Sequence, residues 1–113
     1  MADMIGRFQA MLESGQDSAM LRLSLANALV AAGRTNEAIL HLERALGQDP
    51  DYSAAWKLLG KVLLAAGEVR RALETCERGV IVARAKGDLQ AAKEMEVFAR
   101  RARRQLDLPD GAS

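Results

Sequence analysis

The stretch "LVAAGRTNEA" at residues 29–38 returns as "LLAAGEVRRA" at residues 63–72, 34 positions later. A self-match at one fixed period constrains a chain more than its composition does, because each period must be one supersecondary unit stacked on the next. Shifting residues 19–52 by 34 onto 53–86 gives eight identities: Leu25/Leu59, Leu29/Leu63, Ala31/Ala65, Ala32/Ala66, Gly33/Gly67, Ala38/Ala72, Glu43/Glu77 and Arg44/Arg78. The repeated unit is helical. Its apolar residues recur at helical spacing, as Leu21, Leu25, Ala28, Leu29 and Ala32 in one segment and Ala38, Ile39, Leu42, Ala45 and Leu46 in the next. Gly33 and Gly67 follow the last periodic residue of their segments, where a left-handed turn lets the chain reverse.

The pattern predicts six helices, near 2–14, 18–32, 35–47, 52–66, 69–85 and 88–106, and no sheet. Ser18, Thr35, Asp51 and Asp88 are the expected N-terminal caps. Composition agrees: half the residues are hydrophobic, only 4% are aromatic, and Ala, Leu, Arg and Glu dominate, which is the vocabulary of helix formers. The only prolines, Pro50 and Pro109, fall where helices have ended. The tail at 108–113, LPDGAS, is expected to be disordered.

Within this pattern Trp56, Leu59 and Gly60 stand as W-x2-L-G, with Leu63 and then Ala72 following, and the first copy supplies Leu25, Ala38, Leu42, Ala45 and a closing Pro50. In these residues the chain resembles the tetratricopeptide repeat (TPR) family, in the manner of a small bacterial-type TPR protein. The resemblance implies an all-α fold, a right-handed superhelical stack of antiparallel helix pairs. It divides one domain, 1–107, into a half repeat at 4–16, repeat one at 19–52, repeat two at 53–86 and a capping helix at 88–106. Arg84 stands where proline closes the first copy, so the helix after Gly67 is expected to run on until Gly87 stops it.

In this family the first helix of each pair lines a concave groove that holds a segment of a partner protein. The resemblance thereby assigns Met20, Leu23, Ser24, Asn27 and Val30 to the groove in the first copy, Ala54, Lys57, Leu58, Lys61 and Leu64 in the second, and Ala91, Met95 and Phe98 on the last helix. Of these, Asn27, Lys57, Leu58, Lys61, Leu64, Met95 and Phe98 form the expected partner-binding site, a cationic strip beside apolar pockets. Asn27 matches an asparagine of the carboxylate clamp found in some members. Leu23 and Leu58 stand where that clamp carries lysine and asparagine, a departure from the pattern that binds chaperone tails.

Other residues read more plainly. Trp56 packs between helices, and Cys76, at the place of a family phenylalanine, is a buried inert thiol. His41 is a surface residue without companions for a metal or a catalytic triad. Met4, Met11, Met20 and Leu12 belong to the core rather than to an adaptable binding strip. The basic run "ARRARR" at 99–104 lacks interleaved aromatics beyond Phe98 and complements a helix C-terminus, so nucleic acid is not the expected partner.

Sixteen basic and fifteen acidic residues leave a net charge of +1, hence no global field for nucleic acid or anionic membrane. The apolar runs are too short to span a bilayer, the N-terminus reads as no signal peptide, and one cysteine makes no internal disulfide, so a cytoplasmic protein is expected. With no acid/base or nucleophile set to assemble, the expected role is a non-catalytic adaptor without cofactor or metal, binding a protein or peptide with acidic and apolar residues. A homodimeric assembly module is the alternative.

Overall fold

The computed structural model describes residues 2–107, and side chains from residue 4. The expected tail at 108–113 lies outside the described residues. Six α helices and no strand occur among them: α1 (Ala2–Glu13), α2 (Ala19–Ala31), α3 (Thr35–Gln48), α4 (Ser53–Ala65), α5 (Val69–Lys86) and α6 (Leu89–Gln105). The chain divides into two compact units between Tyr52 and Ser53, the border of the two sequence repeats.

The helix ends follow from side-chain and backbone chemistry. Ser18 accepts a hydrogen bond from the Leu21 N–H, and Asp88 accepts one from Ala91, each satisfying an orphan donor of the first turn. Thr35 does not cap α3. Gly33 adopts φ 75°, and the Arg34 N–H then donates to the Leu29 carbonyl at 2.8 Å, so the reversal is complete by Arg34 and Thr35 is already helical. Gly67 repeats this turn, with the Glu68 N–H donating to Leu63. Asp51 lies two residues before the start of α4. As Arg84 led us to expect, α5 extends to Lys86 and stops at a left-handed Gly87.

In the N-terminal unit α2 packs against both α1 and α3. Its interior holds Leu25, Leu29, Leu42, Ala38 and Ala45, all fully buried, and removing a leucine there costs about 2–5 kcal/mol. Arg22, where the second repeat has Trp56, is also buried, yet paired. Its guanidinium donates to both oxygens of Asp17, at 2.8 and 2.6 Å, and to His41 Nδ1 at 2.9 Å, while Gln48 donates to Asp17. His41 is therefore half-buried and engaged, not the plain surface residue expected. These contacts pair residue 17 with 48 and 22 with 41, which fixes α2 and α3 as antiparallel.

In the C-terminal unit α4, α5 and α6 all touch one another. A methyl group on Gly60 would lie 2.5 Å from Cys76 Sγ, and one on Gly79 would lie 3.0 Å from the Trp56 Cβ, so α4 and α5 approach as closely as glycine permits, running antiparallel. Trp56 is buried, with the Arg78 guanidinium 5.0 Å from its ring centre. Cys76 is buried and free, and burial pushes its thiol up to about 12, as an inert core cysteine requires. Arg103 pairs with Glu77 and Arg84 with Glu96, so α5 and α6 are also antiparallel.

Candidate binding face on α4 and α6

Since α4 and α6 each run against α5, they are parallel to each other. Two rungs join them: the Ser53 hydroxyl donates to Asp88 at 2.6 Å, and the Lys57 ammonium pairs with Glu94 at 2.9 Å. Both carboxyls are held below their ordinary values, Asp88 first by the Ser53 hydroxyl and Glu94 first by Lys57. One helical turn beyond Lys57 on α4 comes Lys61, and one turn beyond Glu94 on α6 comes Phe98.

The sequence-derived site divides accordingly. Lys57, Leu58, Lys61 and Leu64 share α4, and Phe98 lies on the parallel α6. Leu58, Leu64 and Phe98 are half-buried, and Lys61 is exposed. Asn27 belongs to the N-terminal unit, exposed on α2, with its amide donating to the Leu23 carbonyl. Met95 does not reach the surface. It is fully buried against Gly79, and Ala91 is buried with it.

The reason is register. The 34-residue period equates Lys57 with Ala91, but α6 opens at Leu89 where the period would open it at 87, so the longer α5 delivers α6 two residues late and Lys57 pairs with Glu94 instead. Two residues turn a helix by about 200°, enough to carry Ala91 and Met95 from the face the period gives them into the core. The same shift introduces Glu94 and Arg101, which sequence reasoning missed. Arg101 lies 5.9 Å from the Phe98 ring centre, a cation beside an apolar platform. The length of α5, foreshadowed by Arg84, was the signal that could have found them.

Chemically this face offers one intramolecular ion pair, one exposed ammonium and three partly covered apolar side chains. Nothing on it supplies a nucleophile with a base, and among the described residues no three His, Cys, Asp or Glu side chains gather as metal ligands. No helix among them is long and apolar enough to cross a membrane. Antiparallel helix pairs repeating every 34 residues, with a side-chain-lined face on the first helices, define a helical-repeat scaffold.

Comparison with known proteins agrees. The family model described as tetratricopeptide repeat matches residues 29–95. A TPR repeat-containing protein of Pseudomonas aeruginosa is 46% identical over 98 residues, covering 87% of this chain and 93% of the relative. A solution structure of a Bordetella parapertussis protein superposes with a TM-score of 0.78 at 40% identity, covering 89% of this chain and 88% of that one. The TPR2B domain of yeast Sti1, solved in complex with pHsp70, shares the fold with a TM-score of 0.82 at 22% identity, covering 89% of this chain and 81% of that chain. The chain belongs to the tetratricopeptide repeat family, whose members bind protein or peptide partners.

Proposed function

We propose that the protein is a non-catalytic interaction module that holds a partner segment along α4 and α6 of its C-terminal unit. The observation that carries this reading is Lys61, an exposed ammonium with half-buried Leu58 and Leu64 three residues to either side on α4 and half-buried Phe98 on the parallel α6. Lys57, one turn earlier, is neutralised by Glu94, so Lys61 is the cation offered to a ligand and Arg101 the second. The fitting segment carries Asp, Glu or a terminal carboxylate spaced from one or two large apolar side chains. Apolar anchors supply most of the affinity, and the cations set orientation and association rate. The Sti1 TPR2B domain, whose fold this chain shares, was solved in complex with pHsp70, which supports a binding role for this fold.

The test is crosslinking and affinity capture from the native cell with wild type, Lys61→Glu and Ile81→Asp, the last being an exposed residue on α5. Capture of the partner should fall about three- to tenfold with Lys61→Glu, since repulsion replaces attraction, and should stay level with Ile81→Asp. Equal capture by wild type and Lys61→Glu, at unchanged thermal stability, removes the reading.

A further inference from the structure

In the C-terminal unit α4 rests in a seat made by α5 and α6, against Cys76 and Gly79 of α5, with Ala72 buried one turn before them. Two periods earlier the same three positions are Met4, Phe8 and Met11 of α1, and α1 packs on α2 as α5 packs on α6. In the N-terminal unit the equivalent seat is open. Met4 is 55% exposed and Met11 36%, Phe8 is half-buried, and Met20 at the start of α2 is 71% exposed. The first three stand at i, i+4 and i+7 on one helical face, the stripe a helix presents to another helix. The sequence reading put these methionines in the core, and they are exposed instead because no helix among the described residues covers this face.

We infer that this seat on α1 and α2 docks an amphipathic helix of another protein, acidic along one flank and small-sided where it meets Phe8 and Met11. The size requirement comes from the filled seat. There Gly79 makes room first for Met95 of α6 and then for Trp56, and Gly60 makes room for Cys76. With Met11 in place of Gly79 and Phe8 in place of Cys76, α1 brings more side chain to the seat than α5 does, so the incoming helix needs small residues four apart, at the positions that Trp56 and Gly60 hold on α4. The charge requirement comes from Arg7, exposed on α1 between Met4 and Met11. A second copy of this chain fits poorly. Two α1 helices pairing antiparallel about the middle of the stripe would bring one Arg7 against the other, like charges in contact, whereas an acidic flank answers the charge.

The experiment uses the full chain carrying ¹³C-methyl methionine and two synthetic helical peptides as probes. Both repeat Ala-x-x-Leu-Ala-x-x-Leu, one with Glu and one with Lys at the flanking positions. With the Glu peptide the Met4, Met11 and Met20 methyl signals should move while that of buried Met95 stays. Read from the Met4, Met11 and Met20 methyl titrations, the Glu peptide should bind about two- to fivefold tighter than the Lys peptide, the preference should invert in Arg7→Glu, and Ile81→Asp on α5 should change nothing. Three results overturn the inference: no methyl shift at millimolar peptide, equal affinity for the two peptides, or broadening of the same methyls with protein concentration alone that Met11→Glu abolishes. The last would make a second copy the occupant. Met4 and Met11 are exposed, so these variants leave the fold intact to be measured.

Discussion

The Lys57 ammonium on α4 and the Glu94 carboxylate on α6 meet at 2.9 Å, three residues further along the chain than the repeat period would pair them. The pair is more than a third exposed, so it adds less than about 1 kcal/mol to stability. Its larger effect is on the ligand, because Glu94 competes with any incoming carboxylate for Lys57. Glu94→Gln should therefore leave the thermal midpoint almost unchanged while tightening the binding of an acidic segment, measured by calorimetry at low salt. Weaker binding in Glu94→Gln would mean that the carboxylate itself contacts the partner.

Close approach of α4 and α5 makes a second expectation. Gly60→Ala would gain helix propensity, yet its methyl would press on the Cys76 sulfur, and overpacking should win by about 1–3 kcal/mol in a denaturant titration. Cys76→Ala should restore part of the loss in the double variant, because the clash is with that side chain alone. Strictly additive effects would show that the two residues do not share a contact.

Cys76 also gives a pH dependence. Burial, and secondarily the charge of Glu77, raises its thiol from an ordinary 9.0 to about 12. A folded-state value above the unfolded one means the contribution is fully present below about pH 9 and is lost as pH rises toward 12. Native protein at pH 8 should resist a thiol reagent, with modification tracking global unfolding. Rapid labelling of the native state would contradict the buried placement.

The N-terminal unit has the opposite sign. His41 is held below its ordinary 6.5, first by burial and then by Arg22 and Arg44, and Asp17 is held down at about 2, first by its hydrogen bond from Arg22. Both folded values lie below the unfolded ones. Stability should be intact above pH 6.5, decline as pH falls below it and His41 charges against Arg22, and decline again as pH falls from 3.8 toward 2. His41 is the only histidine, so its proton-NMR titration is unambiguous. Its midpoint should lie below 6.5 and rise in Arg22→Met, which removes the neighbouring charge but keeps the burial. An unchanged midpoint would remove Arg22 as a cause.

Local signals carried most of the fold. The stops at Gly33, Gly67 and Gly87 and the caps at Ser18 and Asp88 act within a few residues, so each could be read from its neighbours. Thr35 failed as a cap because the tight turn at Gly33 left it inside the helix, a backbone outcome that residue type does not encode. Exposure was legible on α4, where the repeat runs in register and Lys61 stands exposed, but not on α6, where the added length of α5 turned Met95 inward and set Glu94 against Lys57. The Asp17, Arg22, His41 and Gln48 network was invisible to periodicity, since its members come from separate elements and meet only once the helices pack.

The account stands or falls on whether the α4–α6 face carries recognition. A photo-crosslinking residue placed at 61 and, separately, at 81 on α5, in cells that normally make the protein, measures this directly. Position 61 should give a discrete crosslinked product that disappears when Phe98 is also replaced by Asp, and position 81 should give none. A product from position 81 with nothing from position 61 would contradict the account.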